Sequence, residues 1–184
     1  MKMLWGAILL FLFSWPASAA DWRMVPDASR LTFESSYQGE AVPGQFRRFQ
    51  AELTLDPDQP EDATLDVEVD ISSADMSSSE LDEGVATEEW FDVARYPQAE
   101  FHSRQIRRID SEHYVATGTL NLKGTRRDIE LPFRFNADGQ MAQMSGELKL
   151  QRLWFDIGSG DWSTDELFGF DVQVRFDVRW RRAH

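Results

Sequence analysis

The sequence predicts an all-β protein of about eight antiparallel strands, closed into a barrel or folded into a sandwich, with a short helical segment between strands. Three observations carry this reading. Apolar residues recur with period two along most of the chain, compact turn signals separate the alternating runs, and one long interruption, residues 72–97, breaks the series. Strict alternation marks strands buried on one face only.

The first two runs lie near residues 30–35 and 50–56. In the third, Leu65, Val67, Val69 and Ile71 alternate with Asp66, Glu68 and Asp70. The period is then lost. Ser78 or Ser79 is placed to cap a short helix carrying Leu81 and Val85, despite the helix-weakening Gly84, and Tyr96-Pro97 turns the chain back to extended structure. Strands resume near residues 99–107 and 114–122, followed by Ile129, Leu131, Phe133 and Phe135 against Asp128, Glu130, Pro132 and Arg134, and by a run near 145–150. The last run is the longest, with Phe170, Val172, Val174, Phe176, Val178 and Trp180 on one face and Asp171, Gln173, Arg175, Asp177 and Arg179 on the other. Asp56-Pro57, Asp110-Ser111, Lys123-Gly124 and Asp138-Gly139 supply the turns. Closing eight such strands removes the exposed edges and leaves an interior that packs solid or holds one small ligand.

Ahead of this pattern, Lys2, the apolar run 8–13 and the small residues Ala17-Ser18-Ala19 or Ser18-Ala19-Ala20 read as a secretory signal peptide over residues 1–20. The apolar run stops at Trp15-Pro16, short of the ~20 residues that span a bilayer. The mature chain, 21–184, is therefore expected in the periplasm, as one domain of roughly 160 residues. The absence of cysteine excludes disulfides, thiolate nucleophiles and thiolate metal sites. Without Lys2, 18 basic residues stand against 32 acidic ones, a net charge of −14. That balance opposes binding to nucleic acid or anionic lipid surfaces.

Little in the sequence supports catalysis or metal binding. His102 has outward parity in its strand, His113 falls in a turn and His184 is terminal. Ser77-Ser78-Ser79 has neither a paired base nor a nucleophile-elbow pattern. The glycines in Ile157-Gly158-Ser159-Gly160-Asp161-Trp162 lack a phosphate-cradle lysine, so the stretch reads as a loop, and Asp156, Asp161 and Asp165 do not have calcium-loop spacing.

The inner face is instead apolar. Phe33, Val69, Phe101, Leu120, Leu122, Phe133, Leu148, Val174 and Phe176 share inward parity, and the small residues Ala116, Gly118 and Gly146 on the same parity leave room for a ligand chain. Periodicity alone does not choose between a tunnel and a solid core. The aromatic stretch around Trp90, Phe91 and Tyr96-Pro97 sits at the one helix-to-strand corner, either as a plug for one end of the barrel or as the mouth of a lipid pocket.

Several pieces in order resemble the YceI-like family of exported proteins. They are Trp22 with Val25-Pro26-Asp27 and Ser29-Arg30-Leu31-Thr32-Phe33, then Gly44-Gln45-Phe46-Arg47-Arg48-Phe49, then Glu89-Trp90-Phe91-Asp92 with Tyr96-Pro97 and Phe101-His102-Ser103. Gly118-Thr119-Leu120-Asn121-Leu122-Lys123-Gly124 follows, and then Arg152, Phe155, residues 157–162 and Val174-Arg175-Phe176. The chain departs from the family pattern at Leu81-Asp82-Glu83-Gly84-Val85, where an Arg and a His are common, and at Trp154-Phe155-Asp156. The resemblance implies an extended lipocalin-like eight-stranded antiparallel β-barrel, and the residues, lacking a catalytic constellation, lead us to expect no enzymatic activity. The barrel's apolar cavity would hold a polyisoprenoid, of quinone or isoprenoid-phosphate type, or another fatty amphiphile, for carriage or storage. Candidate ligand contacts are then Phe33, Val69, Trp90, Phe91, Phe101, Gly118, Leu120, Leu122, Phe133, Trp154, Phe155, Phe168 and Phe176. No other cofactor is implied. Transient contact with a membrane or a membrane redox protein is expected, as a monomer or a dimer. The alternative is a solid-cored barrel that acts through its surface as an interaction or stress-response protein.

Overall fold

The computed structural model describes residues 21–183, so the expected leader, residues 1–20, lies outside the described residues. The alternating runs become strand segments β1 (Asp21–Met24), β2 (Arg30–Tyr37), β3 (Glu40–Phe46), β4 (Phe49–Thr54), β5 (Thr64–Asp70), β6 (Ala74–Asp75), β7 (Gln98–Arg108), β8 (His113–Leu122), β9 (Thr125–Asp138), β10 (Met141–Gln151) and β11 (Asp171–Arg182). One helix, α1 (Ser79–Val85), follows β6, and the Ser78 hydroxyl accepts from the Leu81 N–H as its N-cap.

Eleven segments make an eight-stranded barrel because the first three strands are each broken once. β1 and β2 both pair with β11, Met24 opposite Trp180 and Leu31 opposite Phe176, and a 3-10 turn at Pro26–Ala28 separates them. Pro26 has no N–H to give a ladder, so the strand breaks there. β3 and β4 are split at Arg47-Arg48 and pair with β2 and β1. β5 and β6 flank a 3-10 turn, Ile71–Ser73, which the Asp70 carboxylate caps by accepting from the Ser72 N–H at 2.9 Å. The antiparallel order then runs β7, β8, β9, β10, β11, and the β1–β11 pairing closes the ring. The expected closed eight-stranded barrel is the one observed, with its short helix in the expected interval.

The interior is filled unevenly. At the end where β1 meets the C-terminal part of β11, Trp22, Leu53, Tyr114, Phe133, Phe135, Met144 and Trp180 are buried in one cluster. Tyr114 stacks on Phe133 with centroids 5.4 Å apart, and Trp22 meets Phe135 edge-on at 5.4 Å. The Trp22 indole donates to the Leu55 carbonyl at 3.0 Å, whereas the buried Trp180 Nε1 has no partner among the described residues. Toward the opposite end, inward residues such as Val67, Val69, Leu120, Leu148 and Val174 are only half-buried, because they face a void.

Candidate functional site

That void is a cavity of about 510 Å³, within the ~300–1,000 Å³ usual for small-molecule sites. It is blind. Met144, Val178 and Trp180, all members of the solid cluster, form its floor. Its walls are Val67 and Val69 from β5, Phe101 from β7, Leu120 and Leu122 from β8, Leu148 and Leu150 from β10, and Val172, Val174 and Phe176 from β11. At the usual rise per residue, Val172 to Trp180 spans about 27 Å of strand, or roughly 20 Å of depth once tilted as strands of small barrels are.

Two covers fold over the open end, residues 76–97 with α1 and residues 152–170. Their rings meet: Trp90 lies edge-on to Phe168 at 4.8 Å and 6.0 Å from Trp162, Trp162 is 5.5 Å from Phe168, and Phe91 is 6.2 Å from Phe46. Polar bonds lock the covers together. The Glu89 carbonyl accepts from the N–H groups of Gly158 and Ser159 at 2.8 and 2.9 Å, and its carboxylate accepts from the Trp162 indole at 2.8 Å. Lys123, in the β8–β9 turn, donates to the carbonyls of Glu88 and Asp156 at 2.9 and 2.7 Å. Beside this lock the cavity reaches the surface, because the exposed side chains of Glu80 and Leu81 on α1 also line it.

Arg152 organises the second cover. Its guanidinium, in a residue only 4% exposed, donates to the carbonyls of Ile157, Gly158, Trp162, Thr164, Phe168 and Gly169 at 2.6–3.0 Å. Burial pushes it below its ordinary value and Asp165 opposes that shift; an arginine so placed remains a cation. The loop is wrapped around one charge.

The sequence-derived residues divide accordingly. Phe33, Val69, Phe101, Leu120, Leu122 and Phe176 lie in the wall, and Trp90, Phe91, Phe155 and Phe168 lie at the covered end. Three lie elsewhere. Phe133 has the inward parity expected but belongs to the solid half, stacked on Tyr114. Gly118 opens no room in the cavity, since a Cβ there would meet the His102 carbonyl and the Phe101 ring. Trp154 is 40% exposed and packs against Arg127 on the outside. The 3-10 turn Arg152–Phe155 brings positions three apart onto one side, so Arg152 and Phe155 go inward and Trp154 faces out. Sequence reasoning missed Phe46, Trp162 and the role of Arg152. Phe46 follows Pro43-Gly44, which disguises its strand, and Trp162 sits in a glycine-rich stretch without periodicity.

With this geometry in view, known proteins fall into place beside it. A family model described as the YceI-like domain matches residues 22–180. A UPF0312 protein of Photorhabdus laumondii is 27% identical over 138 residues, 70% of this chain and 71% of the relative. The crystal structure of Burkholderia cenocepacia BcnA is similar with a TM-score of 0.83 at 26% identity, covering 85% of this chain and 98% of that one. A polyisoprenoid binding domain from Saccharophagus degradans, implicated in plant cell wall breakdown, shares the fold with a TM-score of 0.69 at 13% identity, over 88% of this chain and 98% of the domain. Since the family match runs from Trp22 in β1 to Trp180 in β11, the two strands whose pairing closes the ring, the chain belongs to the YceI-like family.

Proposed function

We propose that this protein binds a polyisoprenoid or similar long-chain amphiphile in the barrel cavity and carries or stores it in the periplasm, after loss of residues 1–20. The observation that carries this reading is the blind apolar cavity beneath a cluster of rings. A solid core would have no use for two bonded covers over a hollow end. The fold of the Saccharophagus degradans polyisoprenoid binding domain supports the same reading. A depth of roughly 20 Å exceeds the ~15 Å occupied by one leaflet's tails, so a membrane lipid tail fits lengthwise. Each methylene buried contributes about 0.8 kcal/mol, so a few isoprene units outweigh the cost of ordering the chain. Delivery requires brief contact with a membrane or a membrane redox protein, and the function is binding rather than catalysis.

The test is native mass spectrometry and lipid extraction of the protein purified from the periplasm of its own cells. An apolar-tailed adduct is expected, on a chain whose N-terminal sequence starts at Ala20 or Asp21. A protein that is empty as purified and takes up no isoprenoid in vitro overturns the binding reading. Met1 on the native protein overturns export.

A further inference from the structure

The cavity lining carries few polar side chains, among them Ser35, Glu80, Glu100 and Arg152. An anionic head group drawn into it would need a cation, and the one available is already committed: the Arg152 donors are taken up by six backbone carbonyls. An ion buried without a partner is strongly disfavoured. Conditions at the mouth are no better for an anion. The two covers, residues 76–97 and 152–170, hold ten carboxylates and two guanidiniums. Of those two, Arg152 is spent, and Arg95 is paired with Asp92. Of the cations bordering the covers, Lys123 is occupied by the carbonyls of Glu88 and Asp156, Arg127 by the Trp154 carbonyl, and Arg47 and Arg48 by Asp75 and Asp70, while Arg126 lies with Arg127 and Trp154 on the outer surface and does not line the cavity. Glu80 lines the opening and has no ion-pair partner among the described residues, and Glu83 and Asp161 each adjoin a lining residue, Gly84 and Trp162.

We propose that the cavity selects its ligand by head-group charge, accepting amphiphiles whose heads are uncharged or cationic and rejecting phosphates and carboxylates. This rests on the lipid-binding reading and narrows it: isoprenoid phosphates are turned away, and quinone-like or alcohol heads are admitted. The discrimination comes from the mouth, so it weakens as salt screens the carboxylates.

The experiment uses matched tails. Dodecylamine, dodecanol and dodecyl phosphate, each below its micelle threshold and near neutral pH, compete with an uncharged naphthylamine fluorophore for the mature protein. The amine and the alcohol should displace it at concentrations roughly tenfold or more below the phosphate, with the gap narrowing as salt is raised. Glu80→Gln, an exposed change that leaves the core intact, should shift the phosphate-to-alcohol ratio toward one. Equal displacement by all three, or preference for the phosphate, overturns the charge filter while leaving the apolar cavity standing. If neither the fluorophore nor dodecanol binds, the cavity reading itself fails and takes this inference with it.

Discussion

Phe33, Phe101 and Phe176 each lie across a glycine on a neighbouring strand, Gly44, Gly118 and Gly146, and a Cβ at any of the three would collide with the ring. Phe33 stands opposite Gly44 and Phe176 opposite Gly146 in the ladder. The missing side chains let the rings lie flat along the barrel wall, and this flattening keeps large aromatic residues from filling the space they line. Parity in the sequence places Phe101 with Gly118 and Phe176 with Gly146 on the inner face, whereas Gly44 lies in a strand that Pro43 disguises. Parity does not show that the glycine's space is taken by the ring rather than by a ligand, because that depends on which strands become neighbours. Gly118→Leu should therefore overpack against Phe101 and the His102 carbonyl and cost about 1–3 kcal/mol. Val174→Phe, whose added atoms enter the void, should spare stability and reduce uptake of an apolar fluorophore. A denaturant titration in which Gly118→Leu is as stable as the parent would show that the ring has room to move. Arg152 makes the same point for polar chemistry: its partners are all main-chain carbonyls, which no residue pattern distinguishes. Arg152→Met should cost at least 3 kcal/mol, since carbonyls left unsatisfied cost about 1–3 kcal/mol each. Hydrogen exchange should rise across residues 152–170. Arg152→Lys should not rescue the loop, because three donors cannot replace a five-donor fork.

Among the elements, segments long enough to show alternation were legible, β2, β4 and β5 of the broken strands included, and the shortest and the proline-bearing segments were not. β11 and β9 declare themselves over many residues, whereas β1 and β6 are too short for a period, and β3 contains Pro43-Gly44. Pro43 is tolerated because β3 pairs with β6 only at Gln45 and Phe46, which leaves its other edge free at position 43. Helix α1 was legible because a serine cap announces it and Leu81 and Val85 stand one turn apart; the structure adds an acidic first turn, Glu80 and Asp82. The β7–β8 connection shows how a turn acquires pH dependence. The N–H groups of Glu112 and His113 and the His113 imidazole all bond to Asp110, and together they lower its carboxyl from 3.8 to about 2, the Glu112 N–H contributing most. The folded carboxyl titrates below the unfolded one, so its stabilisation is complete above about pH 4 and lost as pH falls through about 2. Thermal melts of the parent and Asp110→Ala should differ near neutrality and converge in that acid window. A gap that stays constant down to pH 2 would mean the turn owes nothing to this carboxylate.

At the scale of the whole molecule, one barrel does two jobs along its axis. The end closed by Trp22, Tyr114, Phe133, Phe135 and Trp180 is packed solid and holds the ring shut, and the other end is hollow, spanned by covers that are bonded to each other. The sequence assigns both ends the same alternation, since inward parity reads alike whether a side chain meets another side chain or a void. The two halves should differ in what a truncation costs. Leu53 is buried in the solid cluster, so Leu53→Ala removes packed contacts and leaves a new cavity, at about 2–5 kcal/mol. Leu148 sits in the wall of an existing cavity and is only half-buried, so Leu148→Ala enlarges a void that already exists and forfeits contacts on one side, at about 1 kcal/mol. The order of these costs follows from geometry and not from residue type, which is the same in both. Loading the protein with dodecanol should then raise the cost of Leu148→Ala, because the ligand supplies the missing contacts, and leave Leu53→Ala unchanged. Denaturant titrations of both variants, empty and loaded, make the measurement. Equal costs in the empty protein would mean that the hollow half collapses in solution, and the cavity would then have to be opened by its ligand.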